Sequence, residues 1–214
     1  MTTRERFNRT IEYFQTNFPA AETELEYENP FELLVAVILS AQCTDKRVNL
    51  ITPALLKKYP DAESMAKAEP EAIFEYIKSC TYPNNKAKHL SGMSRMLISE
   101  FGGFVPSEPE LLQRLPGVGR KSANVVASVI FRKPVMAVDT HVFRVSHRIG
   151  LVKNAETPIK VELQLTRHIP AELIHEAHHW LILHGRYVCK ARNPLCGRCG
   201  LTDFCIYYRK NRNK

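Results

Sequence analysis

The sequence predicts an all-α protein, and three observations predict it. Apolar residues recur at helical spacing along most of the chain, as at Phe7, Ile11 and Phe14. The stretches that carry this period are bounded by prolines, glycines or residues suited to helix caps. No segment sustains a strand-like alternation, and no Asn-Gly or Asp-Gly hairpin signal occurs.

The elements follow in order. A first helix over 6–18 stops at Pro19. Pro30 suits the first helical position of FELLVAVILSAQ, which is apolar on nearly every side and so belongs at the centre of a core. Thr44 or Asp45 can cap the next helix, which carries Val48, Leu50, Ile51, Leu55 and Leu56 and ends at Tyr59-Pro60. Helices over 70–79 and 86–101 flank the loop CTYPNN; Gly102-Gly103 closes the pair, and Ser107 is placed to cap a short helix after it. Lys133-Pro134 ends the helix that carries Val125, Val126, Val129 and Ile130. Asp139 can cap a helix that runs to Ile149 with Gly150 at its C-terminus, and two further helices cover 158–168 and 171–184. No internal repeat or low-complexity linker separates these elements.

Composition narrows the partners. The 214 residues hold 30 Lys and Arg against 22 Asp and Glu, with a pI near 9.2, which favours an anionic partner, nucleic acid ahead of a membrane. The charge is uneven: 185–214 holds eight basic residues and one acid, whereas 21–32 holds five glutamates and no base. The opening MTTRERFNRT has no apolar signal segment, and the apolar run 31–41 is too short to span a bilayer. A soluble cytoplasmic protein is expected, nucleoid-associated in a bacterium, with no membrane partner.

Two motifs carry chemistry. In LPGVGRKSANVV, Gly117 and Gly119 are expected to take positive φ and expose N–H groups at the start of a helix, where a phosphate can bind; Arg120 and Lys121 follow at once. The same PGxG would also serve an ordinary turn between helices. Near the C-terminus, Cys189, Cys196, Cys199 and Cys205 stand in the spacing Cys-x6-Cys-x2-Cys-x5-Cys, which in a cytosolic chain points to a metal rather than disulfides. Four thiolates satisfy either zinc or an iron-sulfur cluster. Lys190 and Arg192 lie in the first gap, on a loop that the metal would hold rigid for phosphate contact. Cys43 and Cys80 are assigned as buried or free thiols. A third pattern, HExxH at His175, Glu176 and His179, has the spacing of a zinc peptidase, but it runs straight into WLILHGRY, which reads as core.

Taken together, LPGVGRKSANVV, VDTHVFRV, HHWLILHGRYVC and the four cysteines resemble the endonuclease III family of the helix-hairpin-helix DNA glycosylase superfamily, in the family's order and over almost the whole chain. The resemblance implies two helical domains flanking a DNA-binding cleft. One is a six-helix domain over 22–132 with the hairpin. The other joins 1–21 to 133–214 and holds a 4Fe-4S cluster on the loop 189–205, structural and DNA-positioning rather than catalytic. It further implies a bifunctional DNA glycosylase and abasic-site lyase of base excision repair, acting on oxidised pyrimidines in damaged double-stranded DNA, as a monomer.

By the same resemblance Lys121 is the nucleophile that forms a Schiff base, and Asp139 is the paired carboxylate; from the residues alone Asp139 is equally a helix cap. Related adenine glycosylases share the hairpin and cysteines but generally lack this lysine. Gln42 aligns with a residue inserted into the gap left by the extruded nucleotide. Tyr82 stands where the family usually has Leu, and Pro83 where it usually has Tyr, so this chain departs from the family at the wedge facing the opposite strand. A non-catalytic helix-hairpin-helix DNA-binding protein would account for the charge and the glycines but leaves Lys121 and Asp139 without a role.

Overall fold

The computed structural model describes residues 1–211; the last three residues of the expected cluster domain, 212–214, lie outside the described residues. Among the described residues there are helices and turns and no strand. The chain divides into two compact units, Thr23–Arg132 and a second that joins Met1–Glu22 to the chain from Lys133 onward. None of the described helices is long and apolar enough to cross a membrane.

The first unit is built on α2 (Pro30–Ser40), with α3 (Asp45–Lys58), α4 (Ala62–Ala66), α5 (Pro70–Ile77), α6 (Pro83–Phe101), α7 (Pro109–Leu112) and α8 (Arg120–Phe131). Asn29 caps α2 through Glu32 N, and Pro30 occupies its first turn. Phe31 and every residue from Leu33 to Leu39 are buried, because α2 packs against α3, α6 and α8. Helices α4 and α5 lie along α6.

Three details differ from the sequence expectation. Helix α4 has no counterpart in it, since five residues are too few to show a period; Asp61 and Ser64 close a capping box around it. Helix α6 begins at Pro83, inside CTYPNN, rather than at Lys86 after it, because a proline needs no N–H partner in a first turn. Ser107 does not cap α7: with Pro109 in the first turn the cap position falls on Glu108, and the Ser107 hydroxyl donates to the Glu108 carboxylate instead.

The second unit contains α1 (Thr3–Asn17), α9 (Thr140–Ile149), α10 (Pro158–His168), α11 (Ile174–Tyr187) and α12 (Ile206–Asn211). Phe7 and Phe14 of α1 join Val142, Val145, Trp180 and Leu181 in its core, with the Phe14 ring stacked on Trp180. The Trp180 indole donates to Phe18 O at 2.9 Å, and the buried Arg6 donates to Ile149 O and Phe204 O. Gly150 ends α9 with φ +91°, and a Cβ there would lie 2.2 Å from Ile206 Cδ1, so no other residue fits.

Because Leu39 is fully buried on α2, Leu39→Ala should lower unfolding free energy by about 2–5 kcal/mol, read as a lower denaturant midpoint with an unchanged slope. A loss below about 1 kcal/mol would contradict the central place given to α2.

Candidate nucleic-acid interface and cluster site

The hairpin lies between α7 and α8, and its shape follows from its two glycines. Val118 N donates to Leu115 O at 3.0 Å, closing the turn. Gly117 takes φ +82°, and a Cβ on it would lie 2.8 Å from His89 Cβ of α6, so both conformation and space require glycine. Gly119 departs from the expected positive φ. It is the N-cap of α8 at φ −88° and ψ 176°, because a cap position calls for extended backbone. A Cβ there would meet nothing within 4 Å, so its face is open. Neither glycine N–H has a backbone acceptor among the described residues. Gly117, Gly119, Arg120 and Lys121 are all exposed, and the last two form the first turn of α8. Open amides, a helix N-terminus and two cations make one surface of the chemistry that suits a phosphate.

A second surface of the same unit joins the loops after α2 and before α6. Gln42 and Tyr82 both hold φ near 55°, although neither is glycine. A left-handed non-glycine residue costs about 1–2 kcal/mol, and such strain concentrates where side chains must be presented. Three contacts hold the loops in place: the Thr81 hydroxyl donates to Gln42 O at 2.8 Å, and the buried Lys86 ammonium donates to Leu39 O at 2.8 Å and Ala41 O at 2.7 Å. Gln42 is exposed, and Tyr82 is 60% exposed. Sequence reasoning picked out Gln42 and Tyr82 but not Lys86 or Thr81, whose hydrogen-bond partners lie about forty residues away.

Asp139 belongs to the other unit, and there it is a cap. Its Oδ1 accepts from His141 N and Val142 N, both at 2.8 Å, while Oδ2 has no protein partner among the described residues. The segment before it is anchored by His178, whose Nδ1 lies 2.9 Å from Ala137 O. The HExxH residues His175 and His179 are buried, and His179 Nδ1 is 2.9 Å from His175 O, so that ring is engaged with its own helix.

The four cysteines line one small pocket together with Ile149, Val188, Leu195 and Leu201. Among the described residues no three side chains of metal-binding type converge on a single ion; the sulfurs border a space instead, which suits a multi-iron cluster held by four thiolates. Burial pushes the Cys199 thiol up to about 11 and raises that of Cys205, so iron must displace tightly held protons when it binds. Two arginines of α9, one turn apart, clamp the loop. Arg144 donates to Gly185 O and Cys189 O, and Arg148 to Lys190 O at 2.7 Å and Ala191 O at 3.0 Å, with its guanidinium 4.3 Å over the Tyr207 ring. Arg148 also approaches Cys189 Sγ at 3.6 Å. The Gly200 backbone sits so close to Tyr13 of α1 that a Cβ would lie 2.4 Å from its ring. Lys190 and Arg192 therefore stand exposed on a loop braced from behind. Sequence reasoning missed this brace; the i, i+4 spacing of Arg144 and Arg148 is visible, but its carbonyl targets are not.

Comparison with known proteins agrees with this geometry. The model of the HhH-GPD superfamily base excision DNA repair proteins matches residues 35–171, and that of the iron-sulfur binding domain of endonuclease III matches 189–205. Endonuclease III of Rickettsia conorii is 50% identical over 201 residues, covering 94% of this chain and 95% of its own, and that of Escherichia coli is 45% identical over 196 residues, 91% and 92%. A structure of a trapped endonuclease III–DNA covalent intermediate superposes with TM-score 0.94 at 42% identity, covering both chains fully. A thermostable thymine-DNA glycosylase gives TM-score 0.84 at 26% identity over 97% of each chain. The chain carries the cysteine loop that in this family holds a 4Fe-4S cluster, and it belongs to the endonuclease III family of helix-hairpin-helix base excision repair proteins.

Proposed function

We propose that this protein is a DNA glycosylase and abasic-site lyase that removes oxidised pyrimidines from double-stranded DNA, working as a monomer in the cytoplasm on the nucleoid. One observation carries the reading: an exposed lysine, Lys121, stands in the first turn of α8 directly behind the open hairpin, in a chain 42% identical to a protein trapped covalently on DNA. The N–H groups of Gly117 and Gly119 hold a backbone phosphate, and Arg120 adds charge. The damaged nucleotide leaves the stack, at a cost of a few kcal/mol, and Gln42 and Tyr82 fill the space it vacates.

The amine of Lys121 attacks C1′ of the extruded nucleotide. The bond from C1′ to the base breaks, and the base departs with that electron pair and takes up a proton. Asp139 accepts the proton lost from the lysine, or balances the positive charge that develops on the sugar, through its oxygen not used in capping. Opening of the sugar ring gives a Schiff base between Lys121 and C1′. Loss of a proton from C2′ then expels the 3′ phosphate and cuts the strand.

Cys189, Cys196, Cys199 and Cys205 hold the 4Fe-4S cluster, which supplies a rigid cross-link to their loop. Lys190 and Arg192 then meet DNA phosphates from a fixed platform.

Borohydride should trap the protein on abasic DNA, and Lys121→Ala should abolish the trapped product while duplex binding stays within a few-fold; a normal yield from the variant would sink the assignment. Asn caps helices as well as Asp does, so Asp139→Asn should keep its thermal stability while base removal slows at least about 100-fold. Asp139→Ala should lose activity and about 1 kcal/mol of stability as well; normal turnover by the Asn variant would leave Asp139 a cap alone. Purified protein should contain iron and sulfide with broad visible absorption, and Cys199→Ser should lose both colour and thermal stability. Zinc in place of iron would overturn the cluster assignment.

A further inference from the structure

The mechanism leaves two cysteines unused, and they face each other. Cys43 lies in the loop after α2 and Cys80 in the loop before α6, 37 residues apart in sequence, with their sulfurs 3.5 Å apart. Cys43 is half-buried and Cys80 is 5% exposed. Each is next or nearly next to one of the strained residues: Gln42 precedes Cys43, and Tyr82 follows Cys80 by two positions. The two loops already share the hydrogen bond from Thr81 to Gln42 O, so they move as a pair.

We propose that Cys43 and Cys80 form a reversible dithiol–disulfide site whose oxidation couples the presentation of Gln42 and Tyr82 to small-molecule disulfides. The thiolate of the more accessible Cys43 attacks one sulfur of a low-molecular-weight disulfide, forms a mixed disulfide and releases one thiolate. Cys80 then gives up its proton and attacks Cys43 Sγ; the bond between the two cysteines forms and the second small thiolate leaves. The two cysteine thiols are oxidised, the small disulfide is reduced to two thiols, and the cysteine protons end on them. Burial, chiefly, pushes the Cys80 thiol up to about 11, with the neighbouring Lys86 ammonium acting against it, so Cys80 is the slower, resolving partner.

A disulfide needs sulfurs about 2.05 Å apart, so bond formation draws the two sulfurs together by more than 1 Å relative to the 3.5 Å seen here. The bond would tie together two loops whose backbone at Gln42 and Tyr82 is held off its ordinary conformation. The effect on DNA rests on the roles proposed above for Gln42 and Tyr82; the bond itself does not.

The test uses the full chain with its cluster, treated with oxidised glutathione while the visible absorption is followed. Peptide mapping after alkylation should find Cys43 linked to Cys80, with the cluster absorption unchanged. Affinity for duplex DNA carrying an abasic-site analogue should fall about tenfold and return on treatment with dithiothreitol. Cys43→Ser and Cys80→Ser should bind as the reduced protein does and ignore the oxidant. Free labelling of both thiols after treatment, or a disulfide mapped elsewhere, overturns the site. Formation of the bond with unchanged DNA affinity overturns the coupling, and an oxidant effect that persists in Cys43→Ser does so as well.

Discussion

A helix buried on all sides cannot leave its last carbonyls without partners, and this constraint shapes the first unit. Helix α2 runs from a fully buried Leu39 to an exposed C-cap at Ala41, and Lys86 reaches it from α6, placing a buried ammonium on Leu39 O and Ala41 O. Two carbonyls and the negative end of the α2 dipole surround the lysine there. Its reach fixes the distance between the end of α2 and the start of α6. The loops that emerge at these two ends carry Gln42 and Tyr82, so the same contact that completes a core helix also sets where those side chains emerge. Core stability and the presentation of these two side chains are not separable at this point of the molecule.

The second unit solves a related problem with arginines. Its cysteine loop is short of regular structure, and its carbonyls would otherwise rely on water. Arg144 and Arg148, spaced one turn apart on α9, take three of them, at Cys189, Lys190 and Ala191, and Arg6 of α1 takes one more at Phe204. Guanidinium groups suit this work because several donors radiate from one plane and their charge is weakly hydrated. The same helix begins with the Asp139 cap. Thus α9 carries the carboxylate at one end and the brace of the cluster loop along its length.

Much of this was legible in the sequence wherever the signal is local. The PGxG turn, the lysine after it and the cysteine spacing each occupy a few consecutive residues, and the long helices announce themselves by period. What escaped notice depends on partners distant in the chain. Lys86 reads as a surface charge in a helical pattern, since nothing near it in sequence indicates a helix end above it. Arg148 looks like one more basic residue, and Cys43 and Cys80 look like unrelated thiols. Gly119 misled for a different reason: both glycines permit positive φ, yet only Gly117 needs it, because Gly119 already serves as a cap. At Asp139 the capping role is the one seen, with one carboxylate oxygen accepting from His141 N and Val142 N.

The second unit is closed by both ends of the described chain, and this has a bearing on its synthesis. Helix α1 is made well before its partners: Phe18 waits for Trp180, 162 residues later, and Arg6 waits for Phe204, 198 residues later. Domains form as units during translation, and contacts this distant are slow to close. The unit 23–132 is complete in sequence long before, so it can fold while α1 remains an isolated amphipathic segment without its core. Iron-sulfur assembly can begin only once the cysteines have emerged, so in the life of each molecule the hairpin of the first unit is older than the cluster of the second.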